Sequence, residues 1–364
     1  FKWQGYYKGN CCTSKTGQFC CKMKKLLFII IFFMLIAGGY AIFNNPPYET
    51  IDIGDAIELA GLTLEANQEI VRFSSKNPFN IYDIFHNIND IPSQEVFGIL
   101  TVPNGEGKYP LVIGVAGSHG WADHHYGYLE RYLEMGIAVF SLHSFKSRKV
   151  ETTVGEQLSV TMAMMIFDVF MALHTLSQDA RIDPDHVGIT GWSLGGGVAL
   201  FSAWKPIQTI LSPEYKFAAH LPIYPPCMAK PEIMEFTNAP IHILIGELDN
   251  WVPAQPCVEL VNDMRKLGYK ADITVYPDSH HSFDRDQGIV LLENAYSFTD
   301  CRLTLTEEGV VRANSIGLPL STPMLQKIGL AFCADKGATY GGNDYARGHS
   351  REFAKEFMGK YLLN

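Results

Sequence analysis

From about residue 95 the chain alternates short β-rich runs with helical stretches, and this alternation constrains the fold more than any other feature. The runs are 95–102 (EVFGILTV), 110–116 (PLVIGVA), 137–142 (IAVFSL), 186–190 (HVGIT), 218–224 (AAHLPIY), 240–245 (PIHILI) and 271–276 (ADITVY). Several are apolar almost without interruption, as strands buried on both faces must be. Stretches 126–135, 157–179, 193–204, 255–267 and 348–362 read as helices. Strands interleaved with helices predict an α/β fold, a mostly parallel central sheet with helices on both faces. No repeat or low-complexity linker interrupts the pattern, so 44–364 reads as one domain. Within it, 44–94 is expected to be a lead-in adding antiparallel edge strands. Residues 285–345, with many Gly, Asn and Thr and little periodicity, are expected to form a long surface excursion before the last helix.

The first 43 residues differ in kind. Residues 23–43 (MKKLLFIIIFFMLIAGGYAIF) place a short basic start before an apolar run, the layout of a secretory signal. The run Leu26–Phe43 is at the short limit for a membrane span, so a cleaved signal and an uncleaved anchor both remain open. We expect translation to start at Met23, with 1–22 as upstream sequence and the rest of the chain outside the cytoplasm. Of the 29 basic residues, six lysines lie in 1–43, which holds no acid; 23 basic residues then face 38 acidic ones, a net of −15. That charge argues against a nucleic-acid partner and against an anionic membrane surface, leaving membrane contact only to the N-terminal anchor. The four cysteines beyond this segment, Cys227, Cys257, Cys301 and Cys333, are an even set suited to disulfides in an exported protein. Four cysteines allow three connectivities, of which 227 with 257 and 301 with 333 is our expectation.

Residues 186–197 (HVGITGWSLGGG) run from a β-rich segment through G-W-S-L-G into a helical stretch. G-x-S-x-G is a weak signal alone and a strong one at a strand-to-helix turn, where it holds a serine exposed at the end of the sheet. Ser193 is therefore the candidate nucleophile, with the N–H of Leu194 at the positive end of the helix able to stabilise an oxyanion. A serine hydroxyl needs a base, and an imidazole needs a carboxylate to hold its tautomer. In such a sheet both follow the serine, at the ends of later strands. After PIHILI comes GELDNWVP, and after ADITVY comes PDSHHSF. Asp249 is preferred to Glu247 because it sits at the turn while Glu247 still borders the strand. His280 and His281 both stand in the second loop.

GWSLGG, GELDNWVP and YPDSHHSFD together resemble the dienelactone hydrolase family of α/β-hydrolases, whose last motif is Y-P-x-x-x-H-x-F. The resemblance covers roughly 95–284, extends to DARIDPDHVGITGWS and SFKSR, and includes a GATYGGNDYA stretch typical of an extracytoplasmic branch. It implies that His281, two before Phe283, is the base and His280 a neighbour. The namesake enzymes use a cysteine nucleophile where this chain has Ser193, which puts dienelactone itself in doubt as substrate. Their His-Gly after the third strand is Ala116-Gly117 here, and the Ser118 N–H is the candidate second oxyanion donor.

Trp121, Trp192, Trp251 and Arg148 are the candidate substrate-binding residues, the tryptophans as an aromatic wall and Arg148 as a partner for a substrate carboxylate. His119, His124 and His125 crowd one loop without matching carboxylate or cysteine spacing, so no metal is expected. No glycine-rich nucleotide loop follows a strand, so no cofactor is expected. The expected activity is cleavage of a carboxylic ester or lactone, small or polymeric. A peptidase or acyltransferase with the same triad and a non-catalytic exported binding protein are the alternatives.

Overall fold

In the computed structural model, residues 64–363 are described. The candidate signal or anchor and its export reading lie outside them. The main sheet contains β1 (Gln68–Lys76), β2 (Ser93–Thr101), β3 (Tyr109–Val115), β4 (Ala138–Leu142), β5 (Ile182–Trp192) and β6 (Ala219–Ile223). After a short strand β7 (Ala229–Pro231) belonging to a second sheet, β8 (Ile241–Gly246) and β9 (Ala271–Tyr276) complete it. The order is β1-β2-β4-β3-β5-β6-β8-β9, with β4 to β9 mutually parallel and β1 and β2 antiparallel at one edge. The expected α/β-hydrolase architecture is present. Among its described residues, the lead-in contributes one edge strand, β1, and an unforeseen helix α1 (Ile81–His86), whose N-cap Asn80 and Asp83 form a capping box.

The apolar runs become strands because both faces are covered: Leu111, Val112, Ile113 and Val115 of β3 are wholly buried, as are Val187 and Ile189 of β5. Helices α2 (Asp123–Glu134), α3 (Met162–Ser177), α4 (Leu194–Phe201), α5 (Lys205–Leu211) and α6 (Ala254–Lys266) connect these strands. From β3 the chain turns back to β4, then crosses β3 to reach β5. Right-handed crossovers therefore put α2 and α3 on opposite faces. The crevice beyond the ends of β3 and β5, where the connections diverge, is the switch point at which such sheets build sites. The expected helix 157–179 starts only at α3, where the Thr161 hydroxyl accepts from the Met164 N–H.

Residues 285–345 are more structured than their sequence suggests. They form β10 (Val290–Ser297), β11 (Leu303–Leu305), β12 (Val311–Ala313), β13 (Leu318–Pro319), helix α7 (Pro323–Leu330) and β14 (Asp335–Tyr340), before the last helix α8 (Asp344–Leu362). β10 pairs with β14, while β13, β12 and β11 extend a small sheet to β7. Phe298, Cys301, Leu303, Leu320 and Leu330 join Met228, Trp251 and Val252 in a hydrophobic cluster of their own. Among the described residues the disulfides are Cys227–Cys257 and Cys301–Cys333, the expected pairing.

Candidate active site

β5 passes into α4 through Ser193, whose backbone sits at φ 55° and ψ −116°. A non-glycine residue held there stores strain of about 1–3 kcal/mol, kept only because the surroundings over-determine it. The surroundings are the two glycines. A Cβ on Gly191 would lie 2.0 Å from the Gly195 carbonyl oxygen, and one on Gly195 would lie 2.1 Å from that of Val115. Only glycine at both positions lets strand, helix and β3 approach this closely, and the Ser193 N–H is then anchored on the Ile223 carbonyl at 2.9 Å.

The loop after β8 carries Asp249, nearly fully buried. Its Oδ1 accepts from the N–H groups of Trp251 at 3.0 Å and Val252 at 2.9 Å, which fixes the carboxylate plane. Its Oδ2 lies 2.7 Å from His281 Nδ1, and His281 Nε2 lies 2.9 Å from Ser193 Oγ. A carboxylate cannot donate, so Nδ1 carries the proton and Nε2 is free to accept from the serine hydroxyl. Glu247 turns outward and accepts from the Asp278 N–H, and His280 Nδ1 is 2.8 Å from Thr339 Oγ1. The two adjacent histidines thus have separate partners, and only His281 faces Ser193.

Ser193 lies at the junction of two cavities. One, of about 220 Å³, is largely apolar and is bordered by Ser118, Ser193, Leu194 and Trp251 before running beneath the 285–345 segment. The other, of about 20 Å³, is bordered by His119, Trp192, Ser193, Tyr224, His281 and Arg285. Ser118 and Leu194 are thus beside the serine, and a Cβ on Gly117 would lie 3.1 Å from Ser193 Cβ.

The aromatic candidates divide. Trp251 borders both cavities and packs its ring 4.9 Å from that of His281. Trp192 is completely buried and forms part of the small cavity's wall. Trp121 lines neither: its indole N–H donates to the Leu142 carbonyl at 2.8 Å and its ring packs on Trp192 and Tyr126, so its expected place in the cleft wall is corrected. Arg148 is also corrected. Its fully buried guanidinium makes a two-pronged contact with Asp168, at 2.7 and 2.9 Å, and further bonds to Ser144 and Asn77, which leaves nothing for a substrate.

Sequence reasoning missed three groups at the small cavity. Tyr224 packs edge-on against His281 at 4.8 Å and donates its hydroxyl to Asp284. Arg285, four residues after His281, has its Nε buried without an acceptor. Tyr340 comes from the quoted GATYGG stretch, where the following Gly341 N–H holds the His281 carbonyl at 3.0 Å. Burial lowers the His119 pKa below its ordinary value, with the nearby Arg285 and His281 adding to the effect.

The sheet, its switch-point crevice and the serine turn define an α/β-hydrolase. The chain belongs to the dienelactone hydrolase family, whose model matches residues 98–302, and is a carboxylic ester hydrolase. It is similar, at 22% identity over 220 residues, to a Synechocystis sp. (strain PCC 6803) protein provisionally named a carboxymethylenebutenolidase, the match covering 56% of this chain and 89% of that one. Among solved structures it resembles a dienelactone hydrolase-like promiscuous phosphotriesterase from metagenomic libraries, with a TM-score of 0.52, 13% identity, and coverage of 82% of this chain and 100% of that one. That likeness extends to the fold.

Proposed function

We propose that the chain is an exported serine hydrolase that cleaves carboxylic esters or lactones in two steps through an acyl-enzyme. The observation that carries this reading is the hydrogen-bonded chain from Asp249 Oδ2 through His281 to Ser193 Oγ, at 2.7 and 2.9 Å. Ser193 Oγ attacks the carbonyl carbon while its proton passes to His281 Nε2, and Asp249 stabilises the imidazolium that forms. The N–H groups of Leu194 and Ser118 donate to the developing oxyanion. The carbon–oxygen bond to the alkoxy group then breaks, and His281 returns its proton to the departing oxygen. Water, activated by the same imidazole, releases the acid and restores the serine. The chemistry needs no cofactor. Two disulfides support export, because such bonds persist in oxidising compartments.

The test is hydrolysis of p-nitrophenyl butyrate by the wild type and Ser193→Ala, with fluorophosphonate labelling read at Ser193 by mass spectrometry. Turnover and labelling that both vanish in the variant support the reading. Faster cleavage of the matching anilide would make the protein an amidase instead, and a folded wild type that neither labels nor turns over would leave a binding protein.

A further inference from the structure

We infer that the apolar cavity is an acyl-chain tunnel, and that the preferred substrates are esters of medium-length linear fatty acids with a small or polar alcohol. This deepens the proposed function and rests on its acyl-enzyme chemistry. The two cavities meet at Ser193, so the two halves of an ester divide between them. Their assignment follows from the proton transfer. The departing oxygen must come within hydrogen-bond reach of His281 Nε2. His281 borders the small cavity and not the large one, so the alcohol half occupies the small cavity and the acyl chain enters the large one.

The walls of the large cavity suit a hydrocarbon. Polar side chains do border it, and four of them donate within the protein. The Gln326 amide donates to the Gln157 carbonyl, the Gln157 amide to Ser118 Oγ, Asn80 to the Ser321 carbonyl and Thr161 to the Pro78 carbonyl. What remains toward the interior is side-chain hydrocarbon, with Leu303, Leu305, Val311, Leu320 and Leu330 at the end supplied by 285–345. An alkyl chain placed there exchanges water for hydrocarbon walls, and each further buried methylene should raise kcat/KM about fourfold until the tunnel is full. The small cavity, at about 20 Å³, has room only for a compact alcohol.

The experiment compares kcat/KM for ethyl acetate, butyrate, octanoate and palmitate, followed by acid release in a pH-stat, with the purified protein. It is paired with rates of Ser193 inactivation by methyl and octyl fluorophosphonates. We expect octanoate to exceed acetate by at least about tenfold, octyl to inactivate faster than methyl, and palmitate to fall below octanoate. Val311→Phe, which places a ring in the tunnel, should lower the octanoate-to-acetate ratio by about tenfold. The inactivation rates of the wild type carry the test if that variant fails to fold. Acetate turned over as well as octanoate, with no preference for the octyl reagent, overturns the tunnel and leaves the serine hydrolase standing. No turnover and no labelling at any chain length overturns the serine hydrolase, and the tunnel with it.

Discussion

The main sheet and the 285–345 segment are held together by different means. In the sheet, parallel strands with wholly buried aliphatic side chains form one large core with the helices on both faces. In the segment, strands of two to eight residues surround a small cluster closed by Cys301–Cys333. It is docked onto the acid and histidine loops by hydrogen bonds, Asn250 Oδ1 accepting from Thr339 and the Trp251 carbonyl from the Phe298 N–H. Chemistry that needs fixed geometry is built at the ends of strands, whereas the proposed tunnel takes its far wall from the segment. On the proposed function, labour is divided, with positioning assigned to the sheet and selection to the insertion.

The largest expected effect breaks the sheet's half of that comparison. Ser193→Ala should lower ester turnover by at least about 10³-fold, and Asp249→Asn by roughly as much, because an amide beside Nδ1 favours the wrong tautomer. Both variants should keep a thermal midpoint close to that of the wild type. Activity surviving in Ser193→Ala would remove the sheet-end site from the reaction.

Acid should attack the sheet region next. Burial pushes the pKa of His124 down to about 4, that of His143 to about 3 and that of His220 to about 4, while 285–345 contains no histidine. These imidazoles fold neutral and charge more easily once unfolded. Their contribution is therefore complete above the ordinary value near 6.5 and is lost as pH falls from there toward 4. At pH 5 the loss should be about 2 kcal/mol for each, read as a lower urea midpoint than at pH 7.5. A midpoint constant across this window would show that acid does not separate the two regions.

Arg148→Met probes the sheet's packing without touching its chemistry. It leaves the Asp168 carboxylate buried without its guanidinium, so stability should fall by about 3–5 kcal/mol while KM for neutral and anionic esters changes in parallel. A selective rise in KM for anionic esters at unchanged stability would return Arg148 to substrate binding. On the other side of the comparison, replacing Cys301 and Cys333 by serine should cost about 3 kcal/mol, concentrated in the segment. Octanoate turnover should fall further than acetate turnover. Equal losses would mean that the segment supports the whole site rather than its acyl end.

The sheet was legible because burial on both faces writes a continuous apolar signal, and the serine turn because two glycines are required by approaches of 2.0 and 2.1 Å. The segment was not, since short strands such as Leu318–Pro319 carry no period and their partners lie far away in sequence, as β11 with β7. Arg148 and Trp121 were expected from sequence to bind substrate. What sequence could not supply was their buried partners, Asp168 from α3 and the Leu142 carbonyl.

The smallest effect concerns the boundary between the regions. His280 Nδ1 is bonded to Thr339 Oγ1, which in turn donates to Asn250, so this histidine joins the loop after β9 to β14 rather than to Ser193. His280→Ala removes one part-buried hydrogen bond, worth about 1 kcal/mol, and should alter turnover less than about threefold. His281→Ala removes the imidazole hydrogen-bonded to Ser193 Oγ and should match Ser193→Ala. The pair is best read together on butyrate. A collapse in His280→Ala comparable to that in His281→Ala would mean that docking of the segment sets the imidazole's position, and the division between positioning sheet and selecting insertion would have to be redrawn.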